Sequence, residues 1–175
     1  MPVLVEACVD SVISAVAAER GGAGRLELCD NLFDGGTTPS AGMISAVKAA
    51  VRIPVFVIVR PRGGGFVYTQ EEVGVMRLDI EAARMLGADG FVVGVLTRDA
   101  RIDVEQLRAL MQHTGAGPVT FHRAFALLRN QQDALETGVP DDPKEAQFKR
   151  AGEETGSSKK KKKKDEVAEL PPEAV

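Results

Sequence analysis

Residues 55–95 read VFVIVRPRGGGFVYTQEEVGVMRLDIEAARMLGADGFVVGV, and three segments within them decide the fold. Val55–Val59 is an unbroken apolar run of strand length, the pattern of a strand buried on both faces. Thr69 with Glu72 forms a capping box, and Val73, Met76, Ile80 and Ala83 follow at helical spacing until Gly87 stops the helix. Phe91–Val95 is a second apolar run. A strand, a covering helix and another buried strand make a parallel βαβ unit.

The same alternation extends in both directions. Val3–Val9, Arg25–Leu28 and Val119–Phe121 are further strand-like runs. Asp10 or Ser11 can cap a helix carrying Val12, Ala15 and Val16. Pro39-Ser40 leads into Ile44, Val47 and Val51, and Asp103 into Val104, Leu107, Leu110 and Met111. The strand starts recur about every 29 residues, so eight units would need roughly 230 residues, close to the ~250 of a (β/α)8 barrel. About five units are present. The expected fold is therefore α/β, a partial (β/α)8 TIM-barrel over residues 1–129. Beyond it, residues 130–175 read as a mostly disordered, charged tail. Gly152–Ser158 and Lys159–Lys164 have no periodicity there, and Pro171-Pro172 closes the chain to regular structure. The lysine run is either a solvated charge run or a nuclear import signal.

Composition narrows the function. Twenty-two basic residues against 25 acidic ones leave a net charge of −3, which gives no electrostatic case for nucleic acid or an anionic membrane. No apolar run approaches the ~18 residues of a membrane span. A strand-like N-terminus leaves no expected signal peptide. Two cysteines, Cys8 and Cys29, are too few for a secreted disulfide framework. The cell interior is the expected compartment.

In a barrel strand alternate side chains point inward, and function collects at the C-terminal strand ends. Glu6 and Cys8 share one face of the first strand, Glu27 and Cys29 one face of the second. Two inward carboxylates need cations or donors, and Arg25, Arg60, Arg62 and Arg123 are the candidates. Thiols on adjacent strands either hold a soft cation such as Cu(I) or Zn(II), or fill space as buried cysteines do. Gly35-Gly36-Thr37-Thr38-Pro39-Ser40 offers backbone N–H groups ahead of a helix, an arrangement suited to an anion. Arg60-Pro61-Arg62-Gly63-Gly64-Gly65 sets two guanidiniums at the end of the third strand, fit for carboxylate or phosphate. His122, ending the fifth strand, is the better-placed of two histidines for acid–base or ligand work.

At these residues the sequence resembles the CutC copper homeostasis protein family: VEACVDS at 5–11, GAGRLELC at 22–29, GGTTPS at 35–40, RPRGG at 60–64 and FHRAF at 121–125. Five motifs in consistent order are specific. The resemblance implies a (β/α)8 barrel and a cytoplasmic protein, in animals also nuclear, that handles copper and self-associates through the barrel. It further implies Cys8 and Cys29 as Cu(I) thiolates at the mouth. Glu6, Glu27, Arg60, Arg62, His122 and Arg123 then line the rest of an anion- or substrate-binding mouth. Two departures stand out. Ala126 occupies a position usually held by Asp, and the lysine-rich segment replaces the last three units, as in a truncated or alternative C-terminus.

The leading expectation is thus a copper-binding homeostasis protein without an established reaction. Its rival is a barrel enzyme for a small anionic or phosphorylated substrate, acting through Glu6, Arg60 and His122 and impaired in this form. Five strands without closure should also leave both sheet edges open, and let water reach Phe56 and Ile58 on the inner face.

Overall fold

The protein is described by a computed structural model covering residues 3–132. Of the expected tail, residues 133–175 lie outside the described residues. Five strands, β1 (Glu6–Val9), β2 (Arg25–Leu28), β3 (Val55–Ile58), β4 (Gly90–Val93) and β5 (Val119–Phe121), pair in chain order in one parallel sheet. Helices α1 (Val12–Arg20), α2 (Ala41–Ala50), α3 (Gln70–Met85) and α4 (Val104–Met111) connect them.

Each helix starts where a side chain satisfies its first free N–H groups. Ser11, rather than Asp10, caps α1 and exchanges bonds with Ser14. Ser40 accepts from the Met43 N–H at 3.1 Å, and Asp103 from the Gln106 N–H at 3.0 Å. The Thr69–Glu72 capping box forms as the sequence indicates. β1 is shorter than expected, because β2 begins at Arg25 opposite Glu6 and offers residues 3–5 no strand partner. Val3, Leu4 and Val5 are accordingly exposed.

The sheet divides the apolar residues into two sets. On the outer face Leu26, Leu28, Val55, Val57, Phe91, Val93 and Val119 pack with Ile44, Val47, Met76, Ile80, Leu107 and Leu110 of the helices. On the inner face Cys29, Phe56, Ile58 and Val92 form a smaller cluster. Contrary to the expectation from an unclosed barrel, Phe56 and Ile58 are buried, at 4% and 1% exposure. Phe56 lies over Gly90, where a Cβ would come within 2.6 Å of its ring, and the Arg25 guanidinium covers it at 4.2 Å from the ring centroid. Ile58 packs under Gly36 of the β2–α2 loop. Solvent instead reaches the β1 side of the inner face, where Cys8 is exposed and Glu6 and Glu27 are half-buried.

Candidate functional site

Strand register assembles the site from the inner face. Cys8 pairs with Glu27 across β1–β2, and Glu27 with Phe56 across β2–β3. One step beyond β2, the Cys29 N–H bonds the Val9 carbonyl at 3.0 Å, which holds the thiol beside β1. The two sulfurs stand 3.2 Å apart, and the Val9 carbonyl, 3.5 Å from Cys29 Sγ, is the alternative acceptor for that thiol's single proton. One thiol is exposed and the other buried.

Their electrostatics are asymmetric. The hydrogen bond from Cys29 pulls the Cys8 thiol below its ordinary range, against burial and the carboxylates Glu27, Glu6 and Asp10. The same bond, then burial, pushes Cys29 well above it. The pair therefore loses its first proton from Cys8 and retains the second on Cys29. Glu27 is raised to about 7, by burial first and by Glu6 second, against the lowering effect of Arg25. Glu6 is neutralised by an ion pair with Arg25, its neighbour across the strands, and neither Arg60 nor Arg62 reaches it.

The arginines of the third strand end do different things. Arg60 is 2% exposed and ties three loops together. Its Nη1 donates to the carbonyls of Asp34 (2.8 Å) and Gly36 (2.6 Å), and its Nη2 to that of Gly64 (2.8 Å). Arg62 turns away, to Glu72 at the start of α3 and to the carbonyls of Gly63, Gly65 and Val67. Its guanidinium lies 5.2 Å from the Tyr68 ring centroid. The N–H groups of Gly35, Gly36, Thr37 and Thr38 are also spoken for, bonding the carbonyls of Leu32, Asn31, Asp30 and Arg60. From Gly35 to Thr38 that loop is built as a turn whose N–H groups bond within the protein.

His122 is buried, and its Nδ1 accepts from the Ala124 N–H at 3.2 Å. Burial, followed by Arg60, pushes its pKa down to about 3, so the imidazole is neutral with its proton on Nε2. Arg123 is exposed and lies against Gly35, where a Cβ would overlap its Nη1. Structure thus brings Cys8, Cys29, Glu6 and Glu27 together on the β1–β2 side, and Arg60, His122 and Arg123 together on the β3–β5 side. Two residues escaped the sequence reading, Phe66 and Tyr68 of the β3–α3 loop. The Arg60 guanidinium and the His122 ring each lie 4.9 Å from the Phe66 centroid. The period-two aromatic spacing Phe66-x-Tyr68 and the single tyrosine of the chain were the available signals.

Among the described residues no cluster of three or more His, Cys, Asp or Glu could hold a metal ion. The Cys8–Cys29 donor set fits a soft cation satisfied by two sulfurs, since thiolates select Cu(I) over hard ions. No helix among the described residues is long and apolar enough to cross a membrane.

A parallel sheet wound with helices, with Cys29, Arg60 and His122 just past the C-terminal ends of their strands, defines a protein of the (β/α)-barrel class. Within that class the chain belongs to the CutC family, whose sequence pattern it matches over residues 3–140. It is 57% identical over 134 residues to a copper homeostasis protein cutC homolog of Mus musculus, covering 77% of this chain and 49% of that one. The Homo sapiens counterpart is 56% identical over the same length and shares. The chain therefore spans about half the length of these relatives. A crystal structure of CutC from Streptococcus agalactiae superposes with a TM-score of 0.74 at 36% identity, over 77% of this chain and 67% of that one. Phosphonopyruvate hydrolase, at 18% identity and a TM-score of 0.54, shares the fold alone.

Proposed function

We propose that this chain serves in copper homeostasis and holds Cu(I) between Cys8 and Cys29 at the rim of the inner face. The observation that carries the reading is the sulfur pair itself, 3.2 Å apart with one thiol facing solvent. Copper would arrive at the exposed Cys8 thiolate and displace the proton that Cys29 retains, so uptake releases protons and tightens as pH rises. The names of the mouse and human relatives support the role at the level of copper homeostasis. The setting is the reducing cell interior, cytoplasmic or nuclear, where free thiols persist, with self-association as the further expectation.

An anaerobic Cu(I) titration against a chromophoric competitor tests the proposal. One equivalent per chain is expected, falling to none in Cys8→Ser and in Cys29→Ser. Unchanged uptake by both single variants would overturn it.

A further inference from the structure

The mouth is electrostatically divided. Glu6 and Glu27 stand with the thiols on β1 and β2, whereas Arg60, His122 and Arg123 gather at the ends of β3 and β5. In that second half three buried polar atoms have no partner among the described residues: Arg60 Nε, the Tyr68 hydroxyl and His122 Nε2. Each is a donor or can act as one, the imidazole because its Nδ1 already accepts from Ala124.

The three belong to one neighbourhood. Gly94 follows β4, between the strands bearing Arg60 and His122, and the imidazole rests on it. A Cβ there would lie 2.3 Å from the ring's Cε1. Phe66 contacts both the imidazole and the Arg60 guanidinium, and is fixed by its carbonyl, which accepts from the Leu96 N–H at 2.8 Å. Tyr68, from the same loop, lies beside both arginines: burial raises its pKa, Arg60 and then Arg62 partly offset this, and the Arg62 guanidinium is 5.2 Å from its ring centroid. The nearby acid Asp34 is engaged by Asn31 at 2.6 Å and packs against Gly63. Buried donors without acceptors are costly. A single water has two lone pairs and can accept from two of the three, whereas an oxyanion has sites for all of them.

We infer that the β3–β5 half of the mouth is a small-oxyanion site. Arg60 Nε, His122 Nε2 and the Tyr68 hydroxyl donate to one carboxylate or phosphate group, and Arg123 covers it from the solvent side. This site is separate from the sulfur pair and independent of the copper proposal. It also recasts the mouth expected from the sequence, because Glu6 and Glu27 drop out of it, Tyr68 enters, and Arg62 only backs the Tyr68 ring.

The test uses the full chain with 15N-labelled histidine. Inorganic phosphate and acetate are titrated in separate arms, and His122 Nε2 is followed by 1H–15N correlation. His113, the other histidine, pairs with Glu81 at 2.9 Å and serves as the internal control. A saturable shift of His122 without one at His113 is expected. Affinity should fall roughly tenfold or more in Arg123→Ala and in Tyr68→Phe, as for a lost charge-assisted or buried hydrogen bond. Both variants should keep their melting temperature, because one side chain is exposed and the other keeps its ring. A response to phosphate alone assigns a phosphate, and a response to both assigns oxyanions in general. No shift at His122 with either anion, equal shifts at both histidines, or undiminished affinity in both variants would overturn the inference. Cu(I) uptake measured on Arg123→Ala should be normal, which keeps failure of the anion site distinct from failure of the copper site.

Discussion

Acidification should destabilise the protein through His122, by an amount the structure fixes. In the unfolded chain this histidine takes up its proton near the ordinary 6.5, whereas in the fold burial and Arg60 delay protonation to about 3. Between those values the unfolded state binds the extra proton, so stability present above pH 6.5 is lost as pH falls. The loss through this group amounts to about 2 kcal/mol at pH 5 and about 5 kcal/mol below pH 3. Other groups titrate in the same range. Glu27, raised to about 7, acts in the opposite sense, because ionising it in the fold is what costs stability. Comparison with His122→Asn isolates the histidine, since the asparagine side-chain oxygen can still accept from the Ala124 N–H. Urea unfolding of both proteins at pH 7.5 and pH 5, in buffer free of phosphate and carboxylates, supplies the four free energies. The wild-type protein should lose about 2 kcal/mol more than the variant over that interval. Equal losses within ~0.5 kcal/mol would refute the burial argument.

Three further outcomes follow from the same contacts. Glu27→Gln should stabilise the metal-free protein by up to about 3 kcal/mol at pH 8 and by under ~1 kcal/mol at pH 5, read by urea unfolding. No gain at pH 8 would show that the carboxylate is not penalised by its surroundings. Gly90→Ala places a methyl group 2.6 Å from the buried Phe56 ring and should cost about 1–3 kcal/mol, seen as a lower urea midpoint. Unchanged stability would mean that the ring moves freely. The outer edges of β1 and β5 are unpaired among the described residues, and Val3, Leu4 and Val5 are exposed beside β1. Sedimentation velocity should therefore show concentration-dependent association. A monodisperse monomer with a single cooperative melt above ~50 °C would contradict this.

Much of the fold was legible because local chemistry and global architecture agree in it. The Thr69–Glu72 box, the Ser40 and Asp103 caps and the apolar runs at 55–59 and 91–95 each specify their own element. β2 and β5 have the bounds their sequences suggest. The strand alternation also located Glu6, Cys8, Glu27 and Cys29 on the inner face. Side-chain reach was not legible. Nothing in RPRGGG distinguishes Arg60, folded into the loops as a clamp on three carbonyls, from Arg62, drawn outward by Glu72. Both share the parity of Phe56 and Ile58, but Arg60 sits just past β3 and keeps its inward direction, whereas Arg62 lies in the bend beyond the strand, where Glu72 takes it. Burial of Phe56 was missed for a related reason. Its cover comes from Gly90 and Arg25 on neighbouring strands, residues whose fit emerges only from the pairing register.

The most direct test of copper held by the sulfur pair is X-ray absorption at the copper edge on the chain loaded with one equivalent of Cu(I). Sulfur scattering from Cys8 and Cys29 is expected as the protein's contribution to the copper coordination shell, with copper lost from the Cys8→Ser/Cys29→Ser double variant. A shell of nitrogen and oxygen ligands alone, or undiminished copper in the double variant, would contradict it.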